Sequence, residues 1–187
     1  MRVGLLGGSF NPAHVGHCRI SAIALNRLGL DAVWWLVSPQ NPLKPVAGMP
    51  RMEERAAAAR TMARDPRITV SMIEAQLGTS FTADTLRALH QRFGAMRFVW
   101  LMGADNLSQI PRWRHWRGVF ENTPVAVFAR PSYSFRAIAG RAASVFAAAR
   151  QPADGAARLA DCVPPAWVFL WDAHEASSAT ALRAGTR

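Results

Sequence analysis

Two histidines three residues apart, His14 and His17, close the stretch Gly7-Gly8-Ser9-Phe10-Asn11-Pro12-Ala13-His14-Val15-Gly16-His17. The apolar run Val3 to Leu6 precedes this stretch and an amphipathic segment, Cys18 to Leu28, follows it. That order predicts a strand, a glycine turn and a helix. Such a turn directs unpaired backbone N–H groups and the positive end of the helix dipole at one point, so it can hold an anion. Imidazoles at i and i+3 lie on the same side of the first helical turn, where both could hydrogen-bond the oxygens of one phosphate chain. Gly16 between them lets a ligand come close to the backbone.

The turn is neither of the commoner phosphate loops. G-x-x-x-x-G-K-[ST] is absent, and Gly4, Gly7 and Gly8 do not make G-x-G-x-x-G. A lone H-x-x-H would read as ordinary surface histidines. With the glycines, Phe10, Pro12 and the preceding strand, the string resembles the G-G-[ST]-F-[DN]-P-x-H-x-G-H signature of the nucleotidyltransferases. Within them it is similar to nicotinate-nucleotide adenylyltransferases. The resemblance implies that Gly7, Gly8, Ser9, Phe10 and Gly16 bind ATP phosphates and that His14 and His17 are catalytic.

The rest of the chain has to position this turn. With 187 residues and 50% hydrophobic content, the chain suits one globular domain, and no apolar run approaches a membrane span. The N-terminus is too short in apolar residues for a secretory signal, so a cytoplasmic protein is expected. Cys18 and Cys162 are too far apart in sequence for a zinc or redox motif. The net charge of +10 permits a nucleic-acid-binding module. The arginines are nevertheless spread over predicted helices rather than gathered in a run, so no nucleic-acid partner is expected. Oligomeric state is not legible.

Strands are expected at Ala32–Val37, Ile68–Ile73, Met96–Met102, Val125–Phe128 and Trp167–Trp171, with helices at Arg51–Arg64 and Thr82–Phe93. Thr79 or Ser80 would cap the second of these helices. Alternation of strands and helices predicts an α/β fold, a Rossmann-like, doubly wound parallel sheet covered on both faces. Residues 134–161 read as an Ala-rich helical insertion in a single domain spanning 1–187.

In such a sheet the ligand lies across the carboxyl ends of the strands, and the loops there carry the remaining candidates. Lys44 is the single lysine of an Arg-rich chain, and the resemblance makes it a catalytic residue near the phosphates and the acceptor. Ser80-Phe81-Thr82-Ala83-Asp84-Thr85 is similar to the [YF]-T-x-D-T segment that binds the pyridine end of the acceptor, which implicates Thr82 and Thr85. Gly103-Ala104-Asp105-Asn106 and Pro111-Arg112-Trp113 resemble G-A-D-x and P-x-W. From these, Gly103 and Asp105 would bind the nucleotide, Asp105 through a ribose, and Trp113 would stack on the pyridine ring. Arg130 occupies the family's strand-Arg-Pro position and would reach the acceptor. Ser178-Ala179-Thr180-Ala181-Leu182-Arg183 is similar to S-S-T-x-[IV]-R, in which Ser178, Thr180 and the catalytic Arg183 hold the triphosphate. Ala179 and Leu182 depart from that pattern.

The implied reaction is adenylyl transfer from ATP to nicotinate mononucleotide, giving deamido-NAD and pyrophosphate. An acceptor phosphate is already an anion at neutral pH and needs no general base. Alignment and charge neutralisation suffice, with Mg²⁺ carried by the ATP oxygens and no dedicated protein metal site. Nicotinamide mononucleotide and phosphopantetheine are alternative acceptors of the same family.

Overall fold

Seven parallel strands carry the site. In the computed structural model, which describes residues 1–39 and 49–171, they are β1 (Arg2–Gly8), β2 (Ala32–Val37), β3 (Ile68–Ser71), β4 (Arg97–Gly103), β5 (Val125–Phe128), β6 (Arg150–Gln151) and β7 (Trp167–Leu170). Lys44, Ser178, Thr180 and Arg183 lie outside the described residues. The order across the sheet is β3-β2-β1-β4-β5-β7-β6. Chain direction of travel therefore reverses between β1 and β4, which pair in register from Arg2 opposite Arg97 to Leu6 opposite Leu101. Loops leaving the carboxyl ends of those two strands diverge to opposite faces and leave a crevice.

The helices are α1 (Val15–Arg27), α2 (Met52–Met62), α3 (Ile73–Leu77), α4 (Thr82–Arg92), α5 (Ala104–Gln109), α6 (Arg117–Asn122), α7 (Ser134–Ile138) and α8 (Arg141–Val145). Because side chains alternate across a strand, each continuous apolar run feeds two cores at once. One face takes Val3, Leu5, Phe98, Trp100, Met102, Val125 and Val127 against α3 to α8. The other takes Leu6, Val33, Trp35, Val37, Val99, Leu101 and Phe128 against α1 and α2. Fully burying residues of this size contributes about 1.5–3 kcal/mol each. Their polar atoms are used to fix the layers: Trp35 Nε1 donates to Ser21 Oγ on α1 at 2.8 Å, and Trp167 Nε1 to the Phe146 carbonyl at 2.8 Å.

Several boundaries differ from expectation. β3 stops at Ser71 because Ile73 opens α3, a single turn that ends at Gly78 with φ +65°. The cap of α4 is Phe81, with no side-chain cap bond; Thr79, expected there, turns its hydroxyl to Thr85 and the Glu74 carbonyl. Residues 134–161 are not simply helical. After α7 and α8 the chain forms 3₁₀ turns and β6, whose two residues pair with β7 and close one edge of the sheet.

Candidate active site

Phe10 anchors the turn after β1. Its φ is +46°, and its side chain is buried, stacked on Trp35 at 5.2 Å and lying 4.7 Å from the His17 ring. Phe10 was expected among the phosphate-binding residues. Its ring instead builds the floor beneath His17, so any ligand contact it makes is through the backbone. Gly7 has a packing reason as well, since a Cβ there would lie 2.4 Å from the Trp100 ring.

His14 is the N-cap of α1 and His17 its third residue, and they form a reciprocal capping box. His14 Nδ1 accepts from the Gly16 N–H at 3.1 Å, and His17 Nδ1 accepts from the His14 N–H at 3.1 Å. Helix N-termini leave donors unpaired, and here imidazoles take the place usually held by Ser, Asp or Glu. A ring nitrogen that accepts carries no proton, so each neutral imidazole holds its hydrogen on Nε2. The result is a pair of Nε2–H donors with their rings 4.0 Å apart between centroids. The Gly16 N–H, expected to meet a phosphate, is committed to His14 Nδ1. His14 is buried, and burial, followed by the charge of Arg130, holds its pKa below the ordinary imidazole value.

Loops after β4 and β5 complete the crevice. Gly103 caps α5 in extended conformation and puts Asp105 in its first turn. Asp105 Oδ2 accepts from Arg130 Nη1 at 2.8 Å, and both side chains are largely buried. Asp105 Oδ1 is buried with no hydrogen-bond partner among the described residues. A buried carboxylate oxygen without a donor is costly, and a ligand hydroxyl would satisfy it. The same Arg130 acts on His14, so the loops after β1, β4 and β5 meet at one place.

On the acceptor side, Thr82 begins α4 and is partly exposed. Thr85 differs from expectation. Its hydroxyl is wholly buried, shared between Thr79 Oγ1 at 2.9 Å and Glu74 Oε1 at 3.1 Å. It therefore supports the start of α4 from beneath. Glu74 is also buried, which pushes its carboxyl up to about 7, with the Thr85 bond opposing. Trp113 is half-buried against the first core cluster.

Sequence reasoning passed over Arg55. Its side chain is buried, and its guanidinium reaches Ser9 in the turn after β1. The available signal was its place on the inward face of α2 beside Ala56 and Ala59, which are wholly buried.

A parallel sheet whose first strand ends in paired glycines, with paired imidazoles at its switch point, fits a nucleotidyl-transferring class of protein, and the relatives agree. A family profile described as cytidylyltransferase-like matches residues 5–184. A probable nicotinate-nucleotide adenylyltransferase of Parvibaculum lavamentivorans is 52% identical over 183 residues, covering 98% of this chain and 91% of the relative. One from Cereibacter sphaeroides is 54% identical over 187 residues, covering 100% and 99%. In fold, the chain is similar to Plasmodium falciparum nicotinic acid mononucleotide adenylyltransferase complexed with NaAD, with TM-score 0.70, 12% identity and coverage of 98% and 82%. The chain belongs to the nicotinate-nucleotide adenylyltransferases of the cytidylyltransferase-like family.

Proposed function

We propose that this protein transfers the adenylyl group of ATP to nicotinate mononucleotide, releasing deamido-NAD and pyrophosphate. The observation that carries the reading is the pair of Nε2–H donors, fixed by Nδ1 acceptance at the switch point. Family membership and relatives named for this activity support it. In the reaction an oxygen of the acceptor phosphate forms a bond to the α-phosphorus while the bond to the bridging oxygen of the β-phosphate breaks. Negative charge then moves onto pyrophosphate. Donors held in place before the reaction stabilise that charge without reorganising.

His14 and His17 are assigned to the phosphates, with Gly7, Gly8, Ser9 and the Phe10 backbone around them. Asp105 is assigned to a ribose hydroxyl through its unpaired Oδ1, with Arg130 orienting the carboxylate. Thr82 and Trp113 are assigned to the pyridine end of the acceptor. Lys44, Ser178, Thr180 and Arg183 keep the triphosphate and acceptor roles implied by their motifs. The described phosphate site offers mainly hydrogen-bond donors, a set that fits phosphate oxygens rather than a cation. A Mg²⁺ ion would be held by ATP oxygens and water, and would neutralise phosphate charge when bound.

No helix among the described residues is long and apolar enough to cross a membrane. We read the enzyme as working in the cytoplasm on dissolved nucleotides. Incubation with ATP, Mg²⁺ and nicotinate mononucleotide should yield deamido-NAD and pyrophosphate in equal amounts. Product only with nicotinamide mononucleotide or phosphopantetheine would replace the acceptor assignment. Salt-sensitive association with RNA or DNA and no pyrophosphate would replace the reading altogether.

A further inference from the structure

We propose that Arg55 is a positioning residue that presents the turn after β1 to the phosphates, a role that rests on the adenylyl-transfer reading above. Arg55 is 3% exposed, and among the described residues its guanidinium is within ion-pair distance of no carboxylate. All its bonds go to carbonyl oxygens: Nε to Pro50 at 3.1 Å, Nη1 to Ser9, and Nη2 to Ser38 at 3.0 Å and Pro39 at 3.3 Å. One planar fork thus joins the turn after β1, the end of β2 and the start of α2. A lysine could not do this, because it lacks the fixed spread of donors.

The bond to Ser9 has a geometric consequence. In a trans peptide the carbonyl and the following N–H point in opposite directions. Holding the Ser9 carbonyl toward Arg55 therefore aims the Phe10 N–H away from Arg55. That N–H makes no hydrogen bond to the described residues, and Phe10 sits at φ +46°. A peptide pinned with its donor unspent, beside the capped histidines, suits a phosphate oxygen. Among the described residues this buried guanidinium bonds carbonyl oxygens and no carboxylate, which leaves positive potential beneath the turn that a bound polyanion would offset.

The test uses the full chain with Arg55→Lys, which keeps the charge and loses the fork, and Arg55→Met, which loses both. Steady-state constants for ATP and for nicotinate mononucleotide are measured well below each melting temperature, with melting also followed with and without ATP. In Arg55→Lys the ATP constant should rise and kcat should fall, each by about tenfold, the size of one charge-assisted hydrogen bond. The acceptor constant should change less than the ATP constant, since Thr82 and Trp113 stand on loops that Arg55 does not touch. In Arg55→Met the loss should be larger and ATP should no longer raise the melting temperature. If Arg55→Met does not fold, Arg55→Lys decides. A lowered melting temperature with wild-type constants in Arg55→Lys, or equal shifts of both substrate constants, would make Arg55 a structural residue only. If the wild-type protein forms no dinucleotide, the functional reading fails. If it does and the ATP constant ignores Arg55→Lys, the positioning role alone fails.

Discussion

His17 Nδ1 accepts the backbone N–H of His14 at 3.1 Å, so the residue expected to face the phosphates also closes the N-terminus of α1. One ring serves both purposes through its two nitrogens. Stability should depend on Nδ1 and turnover on Nε2.

His14 provides a test of the neutral-donor assignment. Burial chiefly, and Arg130 secondarily, depress its pKa. Replacing Arg130 with Gln removes the repulsive charge and should move the His14 pKa upward, as read from the imidazole Cε1–H resonance against pH. Unfolded His14 titrates near its ordinary value of 6.5, so with a depressed folded pKa its contribution to stability is present above about 6.5 and is lost as pH falls below that value through the lower folded pKa. The Gln variant should lose less on acidification. An unchanged or lower His14 pKa in that variant would show that Arg130 does not act on this ring.

Glu74 predicts a pH effect of opposite sign. Its folded pKa, about 7, is above the unfolded value of 4.5, so the folded protein holds a proton there that the unfolded chain gives up. Its contribution to stability is present below about pH 4.5 and is lost as pH rises through about 7. A displacement of that size corresponds to about 3 kcal/mol. Glu74→Gln copies the protonated carboxyl and should be more stable than wild type at pH 8 by something on that order, with the difference shrinking toward pH 5. Urea unfolding of both proteins at the two pH values checks this. A difference independent of pH would mean that the carboxyl does not titrate in this range.

Trp113 should separate acceptor from donor. Trp113→Ala should weaken nicotinate and nicotinamide mononucleotides by similar factors, because a ring stacks on either. Base–aromatic stacking is worth about 1–3 kcal/mol, which sets the expected loss. Preference for the acid and the ATP constant should persist, both measurable by steady-state kinetics. A main effect on ATP would move Trp113 to the adenine side.

What the sequence disclosed depended on how local the signal was. β1 and α1 were legible because an apolar run and helical periodicity follow one another within Val3 to Leu28, but Gly7 and Gly8, read as the turn, extend β1 in pairing with β2. β2 and β5 were legible as unbroken apolar runs with their observed bounds. α3 was not, because Ile73 to Leu77 is a five-residue turn that continues the apolar character of β3. The two residues of β6, Arg150 and Gln151, carry no strand signal, and only pairing with β7 makes them one. Within the site, the resemblance named His14, His17, Asp105 and Arg130, and the fold brings Asp105 and Arg130 into contact. The capping by His14 and His17 was hidden, since histidine is not among the usual cap residues. Thr85 looked like a ligand contact because of its motif, yet its hydroxyl is spent on Thr79 and Glu74. Those partners become neighbours only once α3 turns the chain back.

The most direct measurement compares pyrophosphate release and thermal unfolding for wild type, His17→Asn and His17→Ala. Asn carries an oxygen where Nδ1 stands and nothing that reaches as far as Nε2, so it should keep the cap and lose the phosphate donor. Ala should lose both, with a capping cost of about 1 kcal/mol. Turnover should fall by about 10²–10³ in both variants while ATP still binds, and only the Ala variant should melt early. Near wild-type turnover in His17→Asn would contradict the assignment of the paired Nε2–H donors, and with it the account of how this site transfers an adenylyl group.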